Sequence, residues 1–175
     1  MNTHSNIYLL GMPGSGKSTL GRQLAEELNI SFYDLDHEIE LIAGKDITRI
    51  FTEEGEVRFR LIETERLKFL SEQSYSKVIA TGGGTPCFHN NMSFINDHGV
   101  SIFLDVPMEI IAERLAKQGT ELRPLLMDKT PQELYKQLID HFLERKCFYL
   151  KALIHIEGAG ISTDDLFIEL NSLRT

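Results

Sequence analysis

The stretch "GMPGSGKSTLG", Gly11 to Gly21, follows directly on the apolar run "NIYLL", Asn6 to Leu10, and its reading decides the fold. Gly11, four intervening residues, then Gly16-Lys17-Ser18 is the spacing of a phosphate-binding loop, in which glycines leave room for backbone N–H groups to wrap a polyphosphate. Lys17 is the mobile point charge for the terminal phosphates. The Ser18 hydroxyl is a ligand for the magnesium that nucleoside triphosphates carry. The helix that follows adds its positive end to the same anion. A glycine-rich turn matching by chance is the alternative, and the surroundings argue against it. "NIYLL" reads as a buried strand entering the loop, and Leu20, Leu24 and Leu28 recur every four residues as the inner face of a helix leaving it.

Working outward, the 175 residues amount to one domain, 1–175, with no proline- or serine-rich linker, repeat or like-charge tail. A chain of that size buries about 70% of the surface its unfolded form exposes. Eighteen basic against 26 acidic residues give a net charge of −8, which works against nonspecific binding of a phosphate backbone, so nucleic acid is not an expected partner. An acidic protein that binds ATP has to concentrate its positive charge locally, which makes the few arginines informative. Cys87 and Cys147 are too few for a disulfide framework and lack metal-ligand spacing, and the six histidines form no zinc pattern. No basic segment precedes a long apolar stretch, and no run approaches a membrane span. The expectation is a cytoplasmic protein without membrane contact, and a monomer.

After the first helix, "ISFYDLD" reads as a second strand whose carboxyl end carries Asp34 and Asp36, and the segment from Leu35 to Leu70 as mostly helical, broken near Gly44 and Gly55. "KVIA", Lys77 to Ala80, is a third strand stopped by "TGGG". Val100 to Val106 is a fourth, with Pro107 opening a helix whose inner face is Met108, Ile111, Ala112 and Leu115. Residues 119–129 lack periodicity and read as an excursion from the core. Thr130 then caps a helix with Pro131 first and Glu133 closing a capping box; Leu134, Leu138 and Phe142 face inward. "ALIHIE" is a fifth strand, and "STDDLFIELNSL" a terminal helix. Such alternation specifies a parallel sheet covered on both faces, with ligands at the carboxyl ends of the strands. The phosphate loop, the Asp34/Asp36 pair and Gly82 to Gly84 should therefore share one edge.

Of the pair Asp34 and Asp36, one is expected near the metal and the other toward solvent or a second substrate; because only Thr81 stands after the third strand, Asp34 is the expected metal partner, and capping the helix that starts near Leu35 is the competing role for these aspartates. Three successive glycines let another molecule approach bare backbone. Arg60 has Glu63 three residues on, close enough to hold its guanidinium. Arg58 is equally near to it, and a solvated helix face would explain Arg60, Arg58 and Arg145 as well. Arg123 stands in the aperiodic excursion, where a lid arginine folds over phosphates and excludes water.

Taken together, "GMPGSGKSTLG", "FYDLDHEIE", "IFTEEGEVRFRLIE", "TGGG", "RPLL" and "ERKCFY" resemble the shikimate kinases in order and spacing over nearly the whole chain. The resemblance implies a three-layer α/β P-loop kinase fold with a five-stranded parallel sheet, a mobile lid at about 119–130 and a substrate-binding helical segment at about 35–70. It implies ATP contacts from Gly14, Ser15, Gly16, Lys17, Ser18, Thr19, Arg114 and Arg123, with Arg114 as the arginine that stacks on the base. Ser18 would ligate Mg2+ directly and Asp34 through water. Asp36 would hold substrate hydroxyls and assist deprotonation of the attacking one. Arg60 and Arg145 would grip the shikimate carboxylate, with Gly82 and Gly83 beside the ring, and Lys17, Asp36 and Arg123 would form the catalytic set. Cys147 stands where the family usually has proline, which raises the expectation of an altered local turn. A gluconate kinase on the same core, or a nucleotide-dependent binding module without transfer activity, are the rival readings.

Overall fold

The computed structural model describes residues 6–118 and 130–173. Five strands, β1 Asn6–Leu10, β2 Ser31–Asp34, β3 Lys77–Ala80, β4 Gly99–Asp105 and β5 Ile154–Glu157, form one parallel sheet in the order β2-β3-β1-β4-β5. The helices between them are α1 Lys17–Leu28, α2 Leu35–Ala43, α3 Ile47–Ser71, α4 Asn91–His98, α5 Met108–Gln118, α6 Pro131–Tyr149 and α7 Thr163–Ser172.

Alternation along the strands builds the two faces. On β1, Ile7 and Leu9 join Leu20, Leu24, Leu166 and Leu170 under α1 and α7. Tyr8 and Leu10 join Leu35, Phe59, Leu67, Ile111 and Leu138 under the other helices. The central strands β1 and β3 are buried along their whole length, as strands inside a parallel sheet are, while the edge strands β2 and β5 are partly exposed.

Several expectations shift at the edges of elements. The second strand ends at Asp34, not Asp36, because the Asp34 side chain accepts from the backbone N–H groups of Asp36 and His37 and turns the chain into α2. Asp36 therefore sits in the first turn of a helix. The long helical segment breaks at Gly44, a left-handed C-cap, and kinks inside α3 at Gly55 (φ 79°, ψ 167°). The Thr130–Glu133 capping box is present in both directions, and Ser162 and Asp165 form a second one on α7. Helix α4 and the 3-10 turn Thr85–Cys87 before it were not anticipated. Cys147 lies within α6, which runs on to Tyr149, so the substitution for proline leaves a helical turn there. The expected lid and Arg123 lie outside the described residues, except for Thr130.

Strand β4 begins one residue earlier than the apolar run suggests, at Gly99, paired with Asn6. A β-carbon at Gly99 would collide with the Asn6 carbonyl oxygen, a backbone atom that cannot move without unpicking the β1–β4 register. Gly99→Ala should therefore destabilise the protein by about 1–3 kcal/mol, the usual range for an overpacked site, read as a lower urea midpoint at unchanged slope.

Candidate active site

The loop between β1 and α1 is built on left-handed backbone that only glycine adopts without strain: φ is 85° at Gly14 and 100° at Gly16. Gly16 caps α1 with no side chain, leaving the first N–H groups of that helix to face an anion. Lys17 is almost buried, and its Nζ donates to the Gly11 and Met12 carbonyls at 3.0 and 2.9 Å, which lays the ammonium along the inside of the loop. Ser15 is also buried, with its Oγ lacking a hydrogen-bond partner among the described residues.

The Ser18 hydroxyl, one residue on, donates to Asp34 Oδ2 at 2.5 Å. Asp34 thus fills both roles that the sequence left open, since one oxygen caps α2 and the other meets the loop serine. The two oxygen groups fit a hard cation such as magnesium, which keeps several waters and arrives on nucleotide phosphates. The described residues contain no group of three or more His, Cys, Asp or Glu that could hold a metal ion.

A cavity of about 880 Å³ runs along the carboxyl edge of the sheet, lined at its centre by Gly14 to Thr19. Asp34, Asp36 and Gly83 line it on one side; Arg114, Ile161, Ser162 and Thr163 line it on another. Arg114 is turned onto backbone oxygens: its NH1 donates to Gly14 at 3.3 Å and Ser15 at 3.4 Å, and its NH2 to Ala159 at 3.0 Å. It ties the phosphate loop to the turn after β5. Sequence reading missed the end formed by Ile161 to Thr163, for which the Ser162–Asp165 capping box was the available signal.

At the edge of the cavity, the three glycines after β3 do something the sequence only half suggested. Their missing β-carbons make room for this protein's own charged side chains. A β-carbon on Gly82 would lie 2.7 Å from Glu63 Oε1 and 2.9 Å from Asp36 Oδ1. One on Gly83 would lie 2.9 Å from Pro13 Cδ and 3.2 Å from an Arg145 nitrogen, and one on Gly84 would lie 2.7 Å from both terminal nitrogens of Arg60. Arg60, Arg145, Asp36 and Glu63, from α2, α3 and α6, are brought together around one strip of bare backbone. Arg58, by contrast, pairs with Glu54 on the exposed face of α3.

Arg60 is held by Glu63, as its i, i+3 spacing predicts, at 3.0 Å. Its second partner, Glu56, and the rings of Phe88 and Phe59, 4.3 and 5.0 Å from the guanidinium carbon, were not foreseen. Thr85 donates to Glu63 Oε1 at 2.6 Å and fixes the other side of that carboxylate. Burial pushes the Cys87 thiol up to about 11, against the opposing pull of Arg145 and Arg60. Tyr149 donates its hydroxyl to the Gly83 carbonyl at 2.5 Å, and burial raises its pKa well above the ordinary phenol range.

Sheet order, phosphate loop and cavity define the class: a P-loop kinase of a small molecule. The shikimate kinase family description matches residues 13–171. A shikimate kinase of Azobacteroides pseudotrichonymphae is 43% identical over 148 residues, covering 85% of this chain and 86% of that one. The crystal structure of shikimate kinase from Bacteroides thetaiotaomicron superposes with a TM-score of 0.88 at 35% identity, covering 97% of this chain and 98% of that one. That of the Acinetobacter baumannii enzyme in complex with shikimate gives 0.86 at 38%, covering 98% and 93%. The chain belongs to the shikimate kinase family. No helix among the described residues is long and apolar enough to cross a membrane.

The Tyr149 hydroxyl makes the contact that anchors Gly83 to α6. Tyr149→Phe leaves that carbonyl without its donor, and chemical denaturation should show a loss of about 1–3 kcal/mol, the cost of an unsatisfied buried polar group.

Proposed function

We propose that this protein transfers the γ-phosphoryl group of ATP to the 3-hydroxyl of shikimate, giving shikimate 3-phosphate and ADP, on the route to chorismate and aromatic amino acids. The observation that carries the reading is the strip Gly82-Gly83-Gly84, against which two arginines and two carboxylates stand beside a phosphate loop. A planar carboxylate is best gripped by guanidinium forks, and a ring carrying hydroxyls is best held by carboxylates.

In this reading Arg60 and Arg145 hold the carboxylate of shikimate, and Gly82 and Gly83 flank the ring. Asp36 accepts from a ring hydroxyl, aligns it with the γ-phosphorus and takes its proton as the new O–P bond forms. Backbone N–H groups from Gly14 to Thr19 hold the phosphates, while Lys17 follows the charge as it moves to the leaving ADP oxygen. Ser18 would hold magnesium directly and Asp34 through water, and the ion would supply neutralisation of the phosphate charge. Arg114 borders the base, and Arg123, in a lid over about 119–130, closes over the phosphates and keeps water out. The segment at about 35–70 is the part that carries the acceptor. We also infer a monomeric, cytoplasmic enzyme, from size, charge and composition.

Coupled ADP release by the purified protein, with magnesium and ATP, tests the reading in three arms: shikimate, gluconate and no acceptor. Release with shikimate alone is expected. Release with gluconate alone or without any acceptor, or none in any arm, contradicts it. Arg60→Ala and Arg145→Ala should each weaken shikimate binding by roughly 10- to 150-fold, the worth of a charged hydrogen bond, with little change for ATP.

A further inference from the structure

Arg60 offers no open edge. Its NH1 donates to Glu63 at 3.0 Å, and its Nε and NH2 both donate to one oxygen of Glu56, at 3.2 and 3.0 Å. The end between NH1 and NH2 is aimed at Gly84. Phe88 and Phe59 lie against the guanidinium, and the Arg60 side chain is only 7% exposed. Although Asp36 and Gly83 line the large cavity, Arg60 does not.

The three edges differ in how readily they open. Glu63 is fully buried and held by Thr85, and Gly84 is backbone. Glu56 is 54% exposed and engages through a single oxygen, an i, i+4 surface pair of the kind that contributes little. It also follows Gly55, where α3 is interrupted and nothing lies within 4 Å of an added β-carbon. A carboxylate released there stays at the start of a helical stretch, where negative charge is favoured.

We propose that Glu56 is a removable stand-in for the acceptor's carboxylate: it holds the side-on fork of Arg60 and yields it to an anionic acceptor, so that Glu56 competes with shikimate. The inference rests on Arg60 as the carboxylate anchor of the proposed reaction. Charge gives the reason for exchange. Arg60 already faces two carboxylates, and a third could not join them without repulsion unless Glu56 left. The exchange also selects the acceptor, since a neutral ring has nothing to set in place of Glu56.

Calorimetric titration of the full chain with shikimate, and with its neutral methyl ester, tests this on wild type, Glu56→Gln and Glu56→Ala. Both variants should bind shikimate about two- to fivefold more tightly, the range for release of an exposed ion pair, and should bind the ester as wild type does. Weaker or unchanged shikimate binding in the two variants overturns the proposal, because Glu56 then serves only to orient Arg60. Failure of the wild type to bind shikimate overturns both this proposal and the reading on which it rests. Titration with a nonhydrolysable ATP analogue reports that each variant is folded.

Discussion

Everything around the charged cluster after β3 depends on the absence of side chains from three consecutive residues. After β3 the chain passes through Gly82, Gly83 and Gly84, and each missing β-carbon leaves a space that a charged group enters: Asp36 and Glu63 at the first, Arg145 at the second, Arg60 at the third. The space is steric in origin, since none of the three has a positive φ. Two guanidinium groups and two carboxylates thereby share a few ångströms of backbone, with Tyr149 holding the middle glycine from beneath. Mutual pairing keeps like charges from dominating, and the aromatic rings around Arg60 exclude water that would otherwise screen it.

The parallel sheet puts that strip beside the phosphate loop. β1 and β3 are neighbours in register, so the phosphate loop after Leu10 and the glycines after Ala80 emerge side by side, and Pro13 of the loop packs on Gly83. Asp34, at the end of β2 on the far side of β3, is joined to the loop through Ser18. The same carboxylate caps α2 and thereby sets the direction in which Asp36 projects. A change at Asp34 is thus felt both at the phosphate loop, through Ser18, and at Asp36, through the start of α2.

What was legible in the sequence was local. The phosphate loop, the Thr130 box, the helix face Leu20-Leu24 and the Arg60–Glu63 pair are all set by spacings of five residues or fewer, and the local structure of each is as read. Arrangements set by distant segments were not legible. That Gly84 accommodates Arg60, or that Arg114 of α5 ties Gly14 to Ala159, follows only from the packing of the sheet. Helix α4 escaped notice because it is short, and its N-cap, Asn90, is left-handed and makes no side-chain cap bond. Asn91 at its first position is instead bonded to Thr64 and to the Thr85 carbonyl. The second strand was drawn too long because its apolar alternation continues through Leu35, and only the Asp34 cap ends it.

If the bare backbone is what seats the acceptor's anchor, a single methyl group at Gly84 tests it. The three atoms nearest such a methyl, all within 3 Å, belong to the guanidinium of Arg60, which can be displaced without breaking the sheet. The measurement is calorimetric titration of Gly84→Ala with shikimate and, separately, with a nonhydrolysable ATP analogue. The account predicts shikimate affinity at least about tenfold lower, the loss of one charged hydrogen bond, with nucleotide affinity retained. Unchanged shikimate affinity, or a parallel loss of both ligands, would contradict it.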